Sequence, residues 1–118
     1  MFTPKLTNIL LFAAVSLMLA ACGGSSGGGY VLADSRDYEA TLFRQNCAVC
    51  HGPEGEGKTI DDGTVVPSLR HGEFKAVSEL EIYSQIADGG NGMLPFRRQL
   101  TDREIKLLVK LIREDLRK

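Results

Sequence analysis

The chain has no tryptophan, and its aromatics amount to five phenylalanines and three tyrosines in 118 residues. A folded region this poor in aromatic side chains has little bulk with which to fill a core of its own. Basic excess is also missing. The formal net charge is −1, and removing a leader that contains only Lys5 would take it to −2. No positive field of the kind that draws nucleic acid is present, so nucleic acid is excluded as an expected partner. No apolar run reaches the roughly 20 residues of a membrane-spanning helix. Histidine occurs only twice and cysteine three times.

The apolar run that does exist, Ile9 to Ala21 interrupted by Ser16, follows Lys5 and has the length of a secretory h-region. A retained short membrane anchor is the alternative. The run ends Leu19-Ala20-Ala21-Cys22. Small residues directly before a cysteine resemble the bacterial lipobox. That resemblance implies a diacylglyceryl group on Cys22 and cleavage before it. Ordinary cleavage nearby, leaving Cys22 as a stray thiol, is the competing reading. The cysteine count suits the lipid, because an odd cysteine in an exported chain predicts a leftover thiol. The expected organisation is a lipoprotein signal peptide over 1–21, a lipidated Cys22 with a flexible Gly/Ser linker over 22–37, and one domain over 38–118. The linker opens with GGSSGGG, and its coil dimensions give a reach of roughly 20 Å.

About 80 residues then remain to fold, a size at which chains often need a staple beyond their own apolar core. A first helix is expected from about Ser35 to Val49, with Phe43, Cys47 and Cys50 on one face. Gly52-Pro53 ends it and opens a long loop to Pro67. Ser78-Glu79-Leu80-Glu81 reads as a capping box with Val77 and Ile82 as its staple. Leu80, Tyr83, Ile86 and Ala87 follow as an apolar stripe, with Gly89 as the stop. Thr101-Asp102-Arg103-Glu104 is a second capping box, stapled by Leu100 and Ile105 and followed by Leu108, Val109 and Ile112. Strand patterning is confined to Thr64-Val65-Val66.

One motif carries specific chemistry: Cys47-Ala48-Val49-Cys50-His51. C-x-x-C-H is the attachment signature of c-type haem. Two thiols one helical turn apart can add to two vinyl groups on one porphyrin edge, and the next residue can place an imidazole on the iron from the same side. A thioredoxin-like pair would want a βαβ context, and none is visible. Zinc would need four ligands, available on paper as Cys47, Cys50, His51 and His71, but without a second clustered pair. A disulfide is the other competitor. The planar group would also supply the apolar mass that the composition lacks. For the sixth iron position the candidates are Met93, in the Gly/Pro-rich loop NGMLPF, and His71, whose bland reading is an exposed loop histidine. A methionine held in such a loop is placed more like a ligand than like core filler.

From about residue 38 onward the chain resembles a small bacterial class I cytochrome c. The resemblance rests on Phe43 four residues before the first haem cysteine, CAVCHG, Pro67-Ser68-Leu69, NGMLPF and the LTDREI helix. It implies an all-α fold of about three main helices, with long loops wrapped around one haem c held through Cys47 and Cys50. It further implies His51 as proximal ligand and Met93 as distal ligand. The Pro67 carbonyl would accept a hydrogen bond from the second ring nitrogen of His51, Leu69 would pack on the haem, and Phe43 would sit where the first and last helices cross. The chain departs from the family at Leu111, where an aromatic is common, at Leu94, and at Arg97-Arg98.

The function expected from this is one-electron transfer by a membrane-tethered carrier or complex subunit with redox-protein partners. It is not an enzyme and takes no small-molecule substrate. A haem protein with an open or displaceable sixth site, acting in gas binding or peroxide reduction, is the rival. The expected location is the periplasmic side, lipid-anchored, with Gly23 after Cys22 favouring the outer over the inner membrane. Glu54, Glu56, Asp61 and Asp62 form one charged cluster and Arg97, Arg98, Arg103 and Lys106 another. Either could be a solvated face or a steering surface.

Overall fold

A computed structural model describes residues 28–73, 76 and 78–117 of the chain. The leader, Cys22 and the staple residue Val77 lie outside the described residues.

Among the described residues the fold has four helices and one minimal hairpin: α1 (Tyr38–Asn46), α2 (Ala48–His51), β1 (Lys58–Thr59), β2 (Val65–Val66), α3 (Glu79–Asp88) and α4 (Asp102–Lys110). A π-helical turn, Leu111–Asp115, continues α4. β1 and β2 pair antiparallel with Lys58 opposite Val66 and Thr59 opposite Val65. The sheet spans two residues on each strand, so the helix-rich reading stands.

The expected first helix is split and shorter. Ser35 bonds the Asp37 backbone N–H at 3.1 Å and the Asp37 carboxylate at 2.9 Å. This local turn competes with helix and delays the start to Tyr38. At the other end the backbone breaks stride at Cys47 (φ −111°, ψ −36°) before α2 resumes.

Both capping boxes form. The Ser78 side chain accepts from the Glu81 N–H, and the Glu81 carboxylate accepts from the Ser78 N–H at 2.9 Å. Thr101 and Glu104 do the same at the head of α4, at 2.7 Å for the return bond. Each box satisfies two donors that a helix start leaves without partners.

The core joins Ala40, Leu42 and Phe43 of α1, Ile82, Ile86 and Ala87 of α3, and Ile105, Leu108 and Val109 of α4. Leu80 does not join the α3 stripe; it is 73% exposed, and Ile82 takes the inward position one turn before Ile86. α4 packs on both α1 and α3. Leu111, where the resemblance favours an aromatic, is fully buried, and the π-turn brings Leu116 in beside it at 2% exposure. The turn is closed by the Leu116 N–H on the Leu111 carbonyl, five residues back, at 3.0 Å.

Packing also begins earlier than the boundary expected at residue 38. Leu32 is fully buried in the core, so the stretch from Tyr30 onward is docked rather than coil. No helix among the described residues is long and apolar enough to cross a membrane.

Candidate functional site

The cysteine motif sits at the α1–α2 junction. The Cys47 N–H bonds the Phe43 carbonyl at 2.8 Å, and the Cys47 carbonyl accepts from Cys50 at 3.1 Å and from His51 at 2.9 Å. Helical hydrogen bonding therefore runs through the break and fixes the three chemical residues on one short segment. Cys47 faces the core, whereas Cys50 is exposed, and neither is in a disulfide. Burial, with a lesser push from Cys50, drives the Cys47 thiol up to about 12, which keeps it protonated.

His51 is drawn into the protein. Burial lowers its pKa, and the backbone carbonyl of Pro67 pulls in the other direction. The net effect favours neutral imidazole, the form that ligates a metal. Its Nδ1 is buried and meets no partner at ordinary hydrogen-bond geometry, so the Pro67 carbonyl acts on the ring from beyond a formed bond.

Pro67 reaches His51 through two loops. The Gly57 N–H bonds the His51 carbonyl and the Leu69 N–H bonds the Gly55 carbonyl, both at 2.8 Å. Gly57 has φ +79°, and a Cβ there would stand 2.6 Å from the Val66 carbonyl oxygen, 2.7 Å from the Ser68 nitrogen and 2.8 Å from the Pro67 carbonyl carbon. Only glycine combines that backbone angle with that approach. The loop after the motif thus lies flush against the Pro67–Leu69 segment.

Met93 lies on the other side of the sequence, in a tight turn. Gly90 and Met93 exchange both backbone hydrogen bonds at 2.9 Å, and Asn91 takes φ +52°. The turn is tied to α3 by the Gln85 amide on the Gly90 carbonyl at 2.7 Å. The next residues are tied by Phe96 on the Ile86 carbonyl at 3.0 Å and Arg97 on the Ala87 carbonyl at 3.1 Å. Met93 and Leu69 are both half-buried against the core that buries Cys47. His71 is exposed, its N–H bonded to Ser68 Oγ at 3.1 Å. Among the described residues no three His, Cys, Asp or Glu side chains converge to hold a metal ion.

These residues suit a covalently attached haem. A core-facing and an outward-facing thiol, a half-buried imidazole that favours its neutral form, and half-buried Leu69, Met93 and Phe96 form an apolar margin with thioether chemistry available. The acidic cluster is largely structural. Glu54 pairs with Arg70 at 2.9 Å, and Glu56 accepts the Glu54 N–H at 2.9 Å. In the basic cluster Arg97 pairs with Asp88 at 2.8 Å. Sequence reasoning missed Gly57, Leu32 and the Glu54–Arg70 pair. The signals were there: glycines at 52, 55 and 57 after the motif, and the apolar pair Val31-Leu32 inside the presumed linker.

Comparison with known proteins supplies an independent view of the same residues. The family described as cytochrome c oxidase, cbb3-type, subunit III matches residues 37–112. The solved structure of the c-type cytochrome KustC0563 is similar with a TM-score of 0.57 and 32% identity, over 66% of this chain and 95% of that one. A thiosulfate dehydrogenase of Psychrobacter arcticus is 44% identical over 45 residues, which is 34% of this chain and 14% of that enzyme.

Proposed function

The chain belongs to the family of cytochrome c oxidase, cbb3-type, subunit III, a family of c-type cytochromes, and from that premise we propose that it is an electron carrier whose iron is held by His51 and Met93 and which is tethered to a membrane by lipid on Cys22. Membership implies covalently bound haem c and a role in electron transfer. When bound, the haem supplies an iron that cycles between ferrous and ferric states by one electron.

The residues divide the work. Cys47 and Cys50 hold the group through thioethers. His51, which burial favours as neutral imidazole, would offer a ring nitrogen to the iron, with the Pro67 carbonyl near enough to draw its pKa the other way. Leu69, half-buried against the core, would pack on the haem. Met93 would supply a thioether to the iron, which favours a carrier over a haem that binds a substrate. The observation that carries this reading is the presentation of Met93: a turn clasped at both ends by 2.9 Å backbone bonds, with the methionine half-buried against the core.

The stretch of likeness to a thiosulfate dehydrogenase supports work beside a dehydrogenase, as a mobile partner or as a subunit. The chain matches a small fraction of that enzyme's length, so its own partner is a redox protein of unassigned identity. Export through a leader over 1–21 and lipidation of Cys22 would place the domain on the periplasmic side, at the outer membrane in preference to the inner.

An absorption spectrum of the purified protein, with haem stain after denaturing electrophoresis, tests the assignment. The expected result is covalent haem, the weak near-infrared methionine–iron band in the ferric form, and slow carbon monoxide binding in the ferrous form. A missing band with rapid carbon monoxide binding would instead mark an open or displaceable sixth site. Cys22→Ala should move the protein from the membrane fraction to the soluble one.

A further inference from the structure

Two segments outside the family match of residues 37–112 grip the same pair of loops. The first is the strap 30–35. Leu32 is fully buried, and charged or polar side chains hold the strap by its backbone and its tyrosine. The Glu54 carboxylate accepts the N–H groups of Leu32 and Ala33, each at 2.8 Å. Arg70 donates to the Tyr30 carbonyl at 2.8 Å, and also to the Glu54 carbonyl and carboxylate. Arg44 donates to the carbonyls of Leu32 and Ser35. The Tyr30 hydroxyl bonds the Asp37 carboxylate at 2.8 Å.

The second segment is the end of the π-turn. At Gly55 the Cβ direction points to Leu116 Cδ1 at 3.3 Å, Phe43 Cζ at 3.4 Å and Leu69 Cβ at 3.7 Å, so Leu116 seals the seam between the two loops. Arg117 beside it donates to the Gly72 carbonyl. Glu54 and Gly55 belong to the loop that follows His51. Leu69 and Arg70 follow Pro67. The strap and Leu116 therefore act on the two loops whose contact brings Pro67 to His51.

We propose that the strap Tyr30–Ser35 and Leu116 are positioning elements that, through Glu54, Arg70 and Gly55, fix the Pro67 loop against His51. A surface ion pair alone would do little, but here one carboxylate satisfies two backbone donors and a half-buried arginine at once, and a buried leucine, Leu32 in the strap and Leu116 after the π-turn, anchors each segment. Because the strap is the point at which the linker joins the domain, the segment nearest the tether is built into the support of the proximal ligand.

This inference rests on His51 as a haem ligand, and its test is separable from that reading. Leu32→Ala and Glu54→Gln are compared in holoprotein with Val109→Ala, a core change in α4, at denaturant concentrations giving equal fractions folded. Amide exchange at Gly57 and Leu69 should run about tenfold faster in the strap variants than in the control. The reduction potential should shift in the strap variants and not in Val109→Ala, and Leu32→Met should restore both. Exchange and potential that follow the control would reduce the strap to general stability and overturn the proposal. The methionine–iron band of the wild type judges the ligand assignment independently, since amide exchange reads the loops whatever binds the iron.

Discussion

Gly57 donates its backbone N–H to the carbonyl of His51 at 2.8 Å while its own Cα lies where a side chain would strike the backbone of Val66, Pro67 and Ser68. One residue thereby closes the loop after the haem motif and seats the Pro67 segment on it.

Gly57→Ala should therefore be among the most damaging small substitutions in the chain. Its φ of +79° and a 2.6 Å approach to a backbone oxygen leave no relaxed position for a methyl group. The expected loss is about 2 kcal/mol or more. Denaturant titration of the holoprotein measures it, and wild-type stability in this variant would contradict the packing described.

Met93→Ala should leave covalent attachment intact and open the iron. Haem staining after denaturing electrophoresis should be unchanged, because Cys47 and Cys50 remain. The near-infrared band should disappear, carbon monoxide should bind the ferrous form rapidly, and the reduction potential should fall, since thioether ligation raises it. If His71 held the iron, the spectra of Met93→Ala would match the wild type and those of His71→Ala would not.

Thr101→Ala removes one half of the box that starts α4. The Thr101 hydroxyl accepts from the Glu104 N–H at 3.3 Å and donates to the Glu104 carboxylate at 2.7 Å. A loss of about 1 kcal/mol is expected, with the spectrum of the haem unchanged. Thr101→Ser should recover most of it.

Glu104 also makes stability depend on acid. The Tyr38 hydroxyl, then the Thr101 backbone N–H and hydroxyl, hold its pKa at about 2 against an ordinary 4.5. A carboxyl depressed in this way stabilises the fold above its unfolded pKa, and the contribution disappears as pH falls through the folded value. Glu104→Gln should lower the Tm at pH 6, and the gap to wild type should narrow between about pH 4.5 and pH 2. The group is exposed, so the gap is expected to be modest and to shrink further in salt. A gap constant across that range would exclude the linkage.

How much of this was legible beforehand depends on how local the cause is. Both capping boxes were readable because all their atoms lie within four consecutive residues. The α4 face was readable because Ile105, Leu108, Val109 and Ile112 repeat at helical spacing, and all four are buried. The α3 stripe is legible at Tyr83, Ile86 and Ala87 but not at its start. Leu80 fits the period, but the packing direction of the helix gave the core to Ile82. The linker was misjudged at Leu32, because composition averages over a window and one anchoring leucine among polar neighbours does not shift the average. The acidic cluster looked like surface charge, yet Glu54 meets its partners 16 and 21 or 22 residues away.

The sequence by itself determined the chemistry: CAVCH names the attachment, and NGMLPF supplies a methionine in a turn that glycine and proline can make. Those features are short, and their geometry follows from neighbouring residues. Only the tertiary structure decided that Gly57 sets Pro67 over His51, that a π-turn delivers Leu116 to the seam at Gly55, and that the strap around Leu32 grips the same loops. Each of these joins residues far apart in the chain, where burial and backbone hydrogen bonds between separate segments, rather than local propensity, fix the positions.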